Sequence, residues 1–213
     1  YAAGLVVLAS NENPLGASPK AVEAASQAMR EIHRYPESSC SALREALAGA
    51  YGLSPRHILV GNGSDELLRL FCEAFLGAGS EALASEHSFY RFRQLAGLRC
   101  ASVRLVPETA FRQDLRAMAL AAGPRTKAVY VVNPNNPTGT YCTRTELAEL
   151  FEALPGDVLV LLDEAYHEFA REREDYPDTV PLWIERHPNL VVLRTFSKAY
   201  GLAGLRVGIC VAN

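Results

Sequence analysis

The sequence predicts an α/β domain in which a mostly parallel β-sheet lies between helices. Two observations carry this. Short apolar runs of strand length alternate along the chain with segments of helical period, and that alternation builds parallel sheets with helices on their faces. Four polar clusters also fall directly after apolar runs, at the strand ends where open α/β sheets hold ligands.

Taken in order, Ser18-Pro19 opens a helix to about Met29, with serine as cap and proline at the first helical position. A second helix covers about 41–50. Ile58-Leu59-Val60 reads as a strand, Gly61-Asn62-Gly63 as a turn, and Ser64 to Phe75 as a helix. A weaker strand at 82–85 precedes a helix over about 89–96. A strand at 101–106, a helix at 114–121 and a strand at 128–132 follow. Thr143-Arg144-Thr145-Glu146 is a capping box for a helix reaching about Ala153. The apolar runs 158–162, 190–193 and 206–211 supply the remaining strands.

Length and composition bound the possibilities. At about 150 residues per domain, 213 residues make one domain, or one and a fragment. A hydrophobic content of 49% with no low-complexity stretch excludes a disordered, collagenous or coiled-coil chain. A net charge of −3 argues against a nucleic-acid binder working by bulk charge. No apolar run approaches the ~18 residues of a membrane span, and Tyr-Ala-Ala-Gly does not open like a secretory signal. Five widely spaced cysteines, none in a Cys-x-x-Cys pair, suit a reducing compartment. The five histidines lack ligand spacing, so no metal site is expected.

The polar clusters carry the chemistry. Gly61-Asn62-Gly63-Ser64-Asp65-Glu66 is a glycine turn opening a helix, whose free N–H groups can cradle a phosphate. Alone, it is better read as an ordinary acidic helix start. Asn133-Pro134-Asn135-Asn136-Pro137-Thr138-Gly139 is a proline-fixed loop, and its three asparagines suggest an amide aimed at a ligand. Asp163 ends a buried strand, where a carboxylate needs a partner, either a ligand or an internal arginine. Only three of the 21 basic residues are lysines. Lys20 and Lys127 sit in ordinary surroundings, whereas Lys198 lies in the apolar, hydroxyl-flanked stretch Thr195-Phe196-Ser197-Lys198-Ala199-Tyr200-Gly201. A lysine so placed has a lowered pKa and can form a Schiff base. An amine, an acid, amide and hydroxyl donors, and a phosphate cup are together what pyridoxal phosphate requires.

At this point the sequence resembles the fold-type I pyridoxal-phosphate aminotransferases, most closely their histidinol-phosphate branch. The matching segments run in order through nearly the whole chain: Leu8 to Gly16, Arg34-Tyr35-Pro36, Gly61 to Glu66, Asn133 to Gly139, Asp163 to Phe169 and Thr195 to Arg206. The resemblance implies that Lys198 forms the Schiff base and shuttles the substrate proton, and that Asp163 pairs with the pyridine nitrogen. Asn136 and Tyr166 would bond the phenolic oxygen. Ser64 and Asp65 would bind phosphate through backbone N–H groups, joined by Thr195, Ser197 and Arg206. Phe89 would stack on the ring, Tyr35 would reach the phosphate site of a neighbouring subunit, and Asn13 would fold over the substrate.

It further implies transamination between L-histidinol phosphate and 2-oxoglutarate in histidine biosynthesis, by a cytoplasmic homodimer. An aromatic amino-acid aminotransferase of the same fold stays open, as does a non-catalytic cofactor-binding or dimerisation fragment. A threonine-phosphate decarboxylase fits the Lys198 segment less well. Residues 1–36 would form an N-terminal arm with part of a small domain, and 37–213 the large cofactor-binding domain. Three departures stand out. Phe92 replaces a frequent tyrosine, and Cys210 lies where an aromatic or glycine is expected. The chain also stops at Asn213, before the small-domain segment that carries the family's substrate-carboxylate arginine. The sequence as it stands is therefore expected to be the cofactor half of an enzyme and inactive by itself.

Overall fold

The computed structural model describes Gly4 and residues 6–213. Tyr1–Ala3 and Leu5, which carry the reading of the chain's start, lie outside the described residues. The strands are β1 (Ile58–Asn62), β2 (Glu81–Ser85), β3 (Ser102–Val106), β4 (Thr126–Val132), β5 (Leu159–Asp163), β6 (Leu190–Thr195) and β7 (Val207–Ala212). They form one seven-stranded sheet in the order β1-β7-β6-β5-β4-β2-β3. The pairings from β3 to β6 are parallel, and β7 runs antiparallel to both β6 and β1. The predicted α/β class and mostly parallel sheet are therefore what is found.

The helices are α1 (Pro19–Ala28), α2 (Ser41–Tyr51), α3 (Gly63–Phe75), α4 (Arg91–Leu98), α5 (Leu115–Ala121), α6 (Arg144–Ala153), α7 (His167–Ala170) and α8 (Thr179–Trp183). Successive residues of a buried strand point to opposite faces, so each central strand feeds two cores. Val129, Val131, Val160, Leu162, Leu190 and Val192 pack on one face with α5, α6 and α8. Ala128, Tyr130, Val132, Leu161, Val191 and Leu193 pack on the other with α3 and α4. The same alternation carries past the strand ends. Asp163 and Thr195 lie in step with the α3–α4 face, while Arg194 lies in step with the other.

Sequence and structure differ in places. The helix expected from Phe89 begins at Arg91. The strand at 82–85, which looked weak for its alanines, is buried along its whole length. Helices α7 and α8 were not predicted, because elements of 4 and 5 residues carry no readable period. The capping box of α6 forms as expected, with both reciprocal bonds between Thr143 and Glu146. Helix α1 buries none of its residues, and Leu8, Leu15, Met29, Ile32 and Tyr35 nearby are exposed. No helix among the described residues is long and apolar enough to cross a membrane.

Candidate active site

The parallel strands β4, β5 and β6 bring their carboxyl ends to one edge of the sheet. The last residue of β5, Asp163, is buried. One carboxylate oxygen accepts the hydroxyl of Tyr130 at 2.8 Å and the other accepts the Ala165 amide at 3.1 Å. Burial raises the carboxyl's pKa, while Tyr130, the Ala165 amide and the charge of Lys198 pull it back. Tyr130 is itself fully buried and stacks on Phe92, with ring centroids 4.4 Å apart and planes 18° from parallel.

Lys198 lies three residues beyond β6. Its Nζ donates to the Ser10 carbonyl at 2.7 Å and sits 5.8 Å from the centre of the Tyr166 ring. Burial lowers its pKa and the positive charge of Arg206 adds to this, against opposing attraction from Glu12 and Asp163. The Tyr166 hydroxyl accepts from the Asn11 amide at 2.8 Å, and Asn13 donates to the Ala199 carbonyl at 2.9 Å. The 10–13 segment is therefore laid across Lys198 by contacts from more than 150 residues away.

Beside the lysine, a group of donors comes together from α3, the end of β6 and the start of β7. Helix α3 begins at Gly63, where the backbone turns through a φ of +76°, so the amides of Ser64 and Asp65 are among those without helical partners. A side chain on Gly63 would collide with the Arg206 guanidinium, and one on Gly208 with the backbone of Gly63 and Ser64. Arg206 holds a left-handed φ of +56° and donates to Ser197 Oγ at 3.3 Å. Thr195 Oγ1 donates to Ser197 Oγ at 3.0 Å and accepts the Ser197 amide at 3.2 Å. Among the described residues Arg206 bonds only Ser197 and the Ala203 carbonyl. Helix-start amides, hydroxyls and a guanidinium with no carboxylate partner form a donor set suited to a phosphate. Glycine at 63 lets the Arg206 guanidinium come close to the helix start, and glycine at 208 lets β7 pack against the Gly63–Ser64 backbone. With the donors so gathered, the residues present fit the phosphate end of pyridoxal phosphate.

Behind this edge, on the other face, Arg194 binds the buried Glu164 at 2.7 Å. Glu164 also accepts the Thr179 hydroxyl at 2.5 Å. Burial, the largest single influence, would lower the guanidinium's pKa, but the charge and hydrogen bond of Glu164 together with those of Tyr51 outweigh it and keep Arg194 charged. His167 lies 3.4 Å from Arg194 and is held neutral, its pKa lowered to about 3 by burial and by Arg194 and Arg171.

The remaining expected residues are placed less directly. Asn136 stands half-buried on the loop after β4 with no side-chain bond inside the described chain, free to face a ligand. Asn133 and Asn135 serve the loop instead: Asn133 bonds Cys142 in both directions and Asn135 reaches the His87 carbonyl. Asp65 turns its carboxylate to Arg91 at 2.9 and 3.0 Å, leaving only its amide for the cradle. Phe89 rests against Tyr90 and lines a hollow with Ala84, Phe92 and Leu105 toward the β3 edge. Tyr35 is fully exposed, and no contact among the described residues draws it or Phe89 to the Asp163–Lys198 cluster. Sequence reasoning missed Tyr130, Ser10 and Asn11. A tyrosine within a buried strand is a usable signal, since its hydroxyl must find a partner.

The profile of the family "Aminotransferase class I and II" matches residues 3–213. The chain belongs to that family. It is 48% identical over 201 residues to histidinol-phosphate aminotransferase 2 of Carboxydothermus hydrogenoformans, covering 94% of this chain and 55% of that relative. The chain thus spans a little over half the length of the curated relatives it matches. The structure superposes with a TM-score of 0.88 on histidinol-phosphate aminotransferase from Sinorhizobium meliloti, solved in complex with pyridoxal-5'-phosphate. That match has 34% identity and covers 95% of this chain and 55% of that one. It also superposes at 0.84 on L-threonine-O-3-phosphate decarboxylase from Porphyromonas gingivalis, with 28% identity over 98% of this chain and 60% of that one. The fold is that of the fold-type I aminotransferases, and family relatives on this fold need not share one reaction.

Proposed function

We propose that the chain forms the cofactor-holding part of a pyridoxal-phosphate aminotransferase acting on L-histidinol phosphate and 2-oxoglutarate. The observation that carries this is that Asp163 and Lys198 come from the carboxyl ends of the adjacent strands β5 and β6, beside a group of donors drawn together through Gly63 and Gly208. The names of the relatives support the substrate. When bound, pyridoxal phosphate supplies an aldehyde that takes up the amino group and a ring that accepts the electron pair left at the substrate Cα.

The surroundings of most of the expected residues support a role, while the roles of Phe89 and Tyr35 rest on the family resemblance. Ser64, Asp65, Thr195, Ser197 and Arg206 bind the phosphate, the first two through their amides. Asp163 would receive the pyridine N–H, Asn136 and Tyr166 would bond the phenolic oxygen, Phe89 would stack on the ring, and Tyr35 would reach the phosphate site of the other subunit of a homodimer. Lys198 would hold the cofactor's aldehyde carbon, and its Nζ, when neutral, would accept the proton of the substrate Cα and return it to the cofactor side. A lowered pKa serves that exchange, because only the neutral amine accepts a proton. The arm, through Asn13, screens the substrate from water. The enzyme works in the cytoplasm, in histidine biosynthesis.

The test is the half-reaction of the full-length protein loaded with pyridoxal phosphate, followed by cofactor absorbance. Histidinol phosphate should convert the cofactor to its amine form far faster than phenylalanine, tyrosine or O-phosphothreonine. Preference for an aromatic amino acid would transfer the assignment to that branch, and carbon dioxide released from O-phosphothreonine would replace transamination by decarboxylation.

A further inference from the structure

We infer that Tyr130 is a positioning residue for the cofactor acid: its hydroxyl holds the Asp163 carboxylate ionised and fixes the direction in which it meets the pyridine nitrogen. The inference rests on the reading of Asp163 as the partner of that nitrogen.

Packing does not account for the hydroxyl. Position 130 lies within β4, between Val129 and Val131 and against Phe92, and a phenyl ring would fill the same space. Among the described residues the hydroxyl nonetheless has a single partner, Asp163 Oδ2 at 2.8 Å. Burial and the charge of Asp163 both raise the phenol's pKa, so it stays a donor at any working pH. A permanent donor favours the charged form of the carboxyl it bonds. The Ala165 amide at 3.1 Å occupies the other oxygen, so each oxygen carries one fixed donor and keeps a lone pair for a ligand. Strands β4 and β5 pair in parallel with Tyr130 opposite Leu161 and Val132 opposite Asp163. The donor therefore rises from the neighbouring strand of the same sheet face, and the stack on Phe92 fixes its ring.

The consequence concerns one proton. With Tyr130 bonded, the carboxylate is a weaker base and the proton between it and the ring stays on the pyridine nitrogen. Without that bond the carboxylate becomes more basic and draws the proton onto oxygen, leaving a neutral ring. A neutral ring accepts the Cα electron pair poorly.

The experiment uses the full-length protein loaded with pyridoxal phosphate carrying ¹⁵N in the ring. Tyr130→Phe should melt close to wild type and still be trapped at Lys198 by borohydride. Its ¹⁵N resonance should move toward the neutral-pyridine position at pH 7, and transamination should fall about tenfold or more, the scale of a lost hydrogen bond to a charge. Phe92→Leu loosens the same packing but keeps the hydroxyl, and should retain the wild-type resonance. An unmoved resonance in Tyr130→Phe, or an equal movement in Phe92→Leu, overturns the role of Tyr130. Asp163→Asn separates the two readings. If it moves the resonance while Tyr130→Phe does not, Tyr130 alone is wrong. If neither moves it, the assignment of Asp163 to the ring nitrogen falls as well.

Discussion

Arg194 and Glu164 meet at 2.7 Å with side chains 7% and 0% exposed, one residue after Leu193 of β6 and one after Asp163 of β5. The pair ties together the two strand ends that present Lys198 and Asp163, from the face of the sheet opposite the site. Taking away one partner strands a buried charge, which typically costs about 3–5 kcal/mol. Arg194→Met should therefore lose stability on that scale in urea unfolding. The double variant Arg194→Met/Glu164→Leu should recover much of the loss, since no charge is left without a partner. A single variant as stable as wild type would mean that the pair does not clamp the strands.

The cradle makes a prediction about volume. Gly208→Ala should weaken pyridoxal-phosphate binding sharply, because a methyl there meets the backbone of Gly63 and Ser64. Gly63→Ala should do the same, with backbone strain added at its φ of +76°. Gly49, within helix α2 and facing open space, is the control. Gly49→Ala should gain about 0.5–1 kcal/mol and leave binding unchanged. Titration of each protein with pyridoxal phosphate reads the difference, and wild-type affinity in Gly208→Ala would remove the cradle from the account.

Much of this was legible in the chain. The alternation of apolar runs with helical segments places all seven strands, and the central parallel ones stand out most because they are buried, and so apolar, on both faces. Asp163 and Lys198 stand out as a charge at the end of an apolar run and a lysine among apolar residues and hydroxyls. Other features were not legible, for physical reasons. Tyr130 reads as one more apolar strand residue until its hydroxyl is seen to end at Asp163. The bonds from Ser10 and Asn11 to Lys198 and Tyr166 close loops of 188 and 155 residues, with no local pattern to announce them. Asp163 and Glu164 are adjacent acids in sequence, yet they serve opposite faces, one beside the lysine and one beneath it against Arg194.

His167 gives a pH dependence with a definite sign. Its pKa falls from 6.5 to about 3 on folding, so the unfolded chain binds the proton more readily. Its contribution to stability is whole above about pH 6.5 and is lost as pH drops toward 3, by up to about 1.4 kcal/mol per unit. His167→Gln cannot take up that proton. Its stability relative to wild type should therefore rise steadily between pH 6.5 and 4 in parallel urea titrations. A difference independent of pH would show that His167 ionises freely in the folded state.

The central claim is that Lys198 is the amine that holds the cofactor. Reduction of the loaded full chain with borohydride, followed by peptide mapping, tests it directly, since lysines occur only at 20, 127 and 198. The pyridoxyl group should be found on the peptide containing Lys198, and Lys198→Ala should retain none after reduction. Label on Lys20 or Lys127 in the wild-type protein, with Lys198 unmodified, would contradict the account.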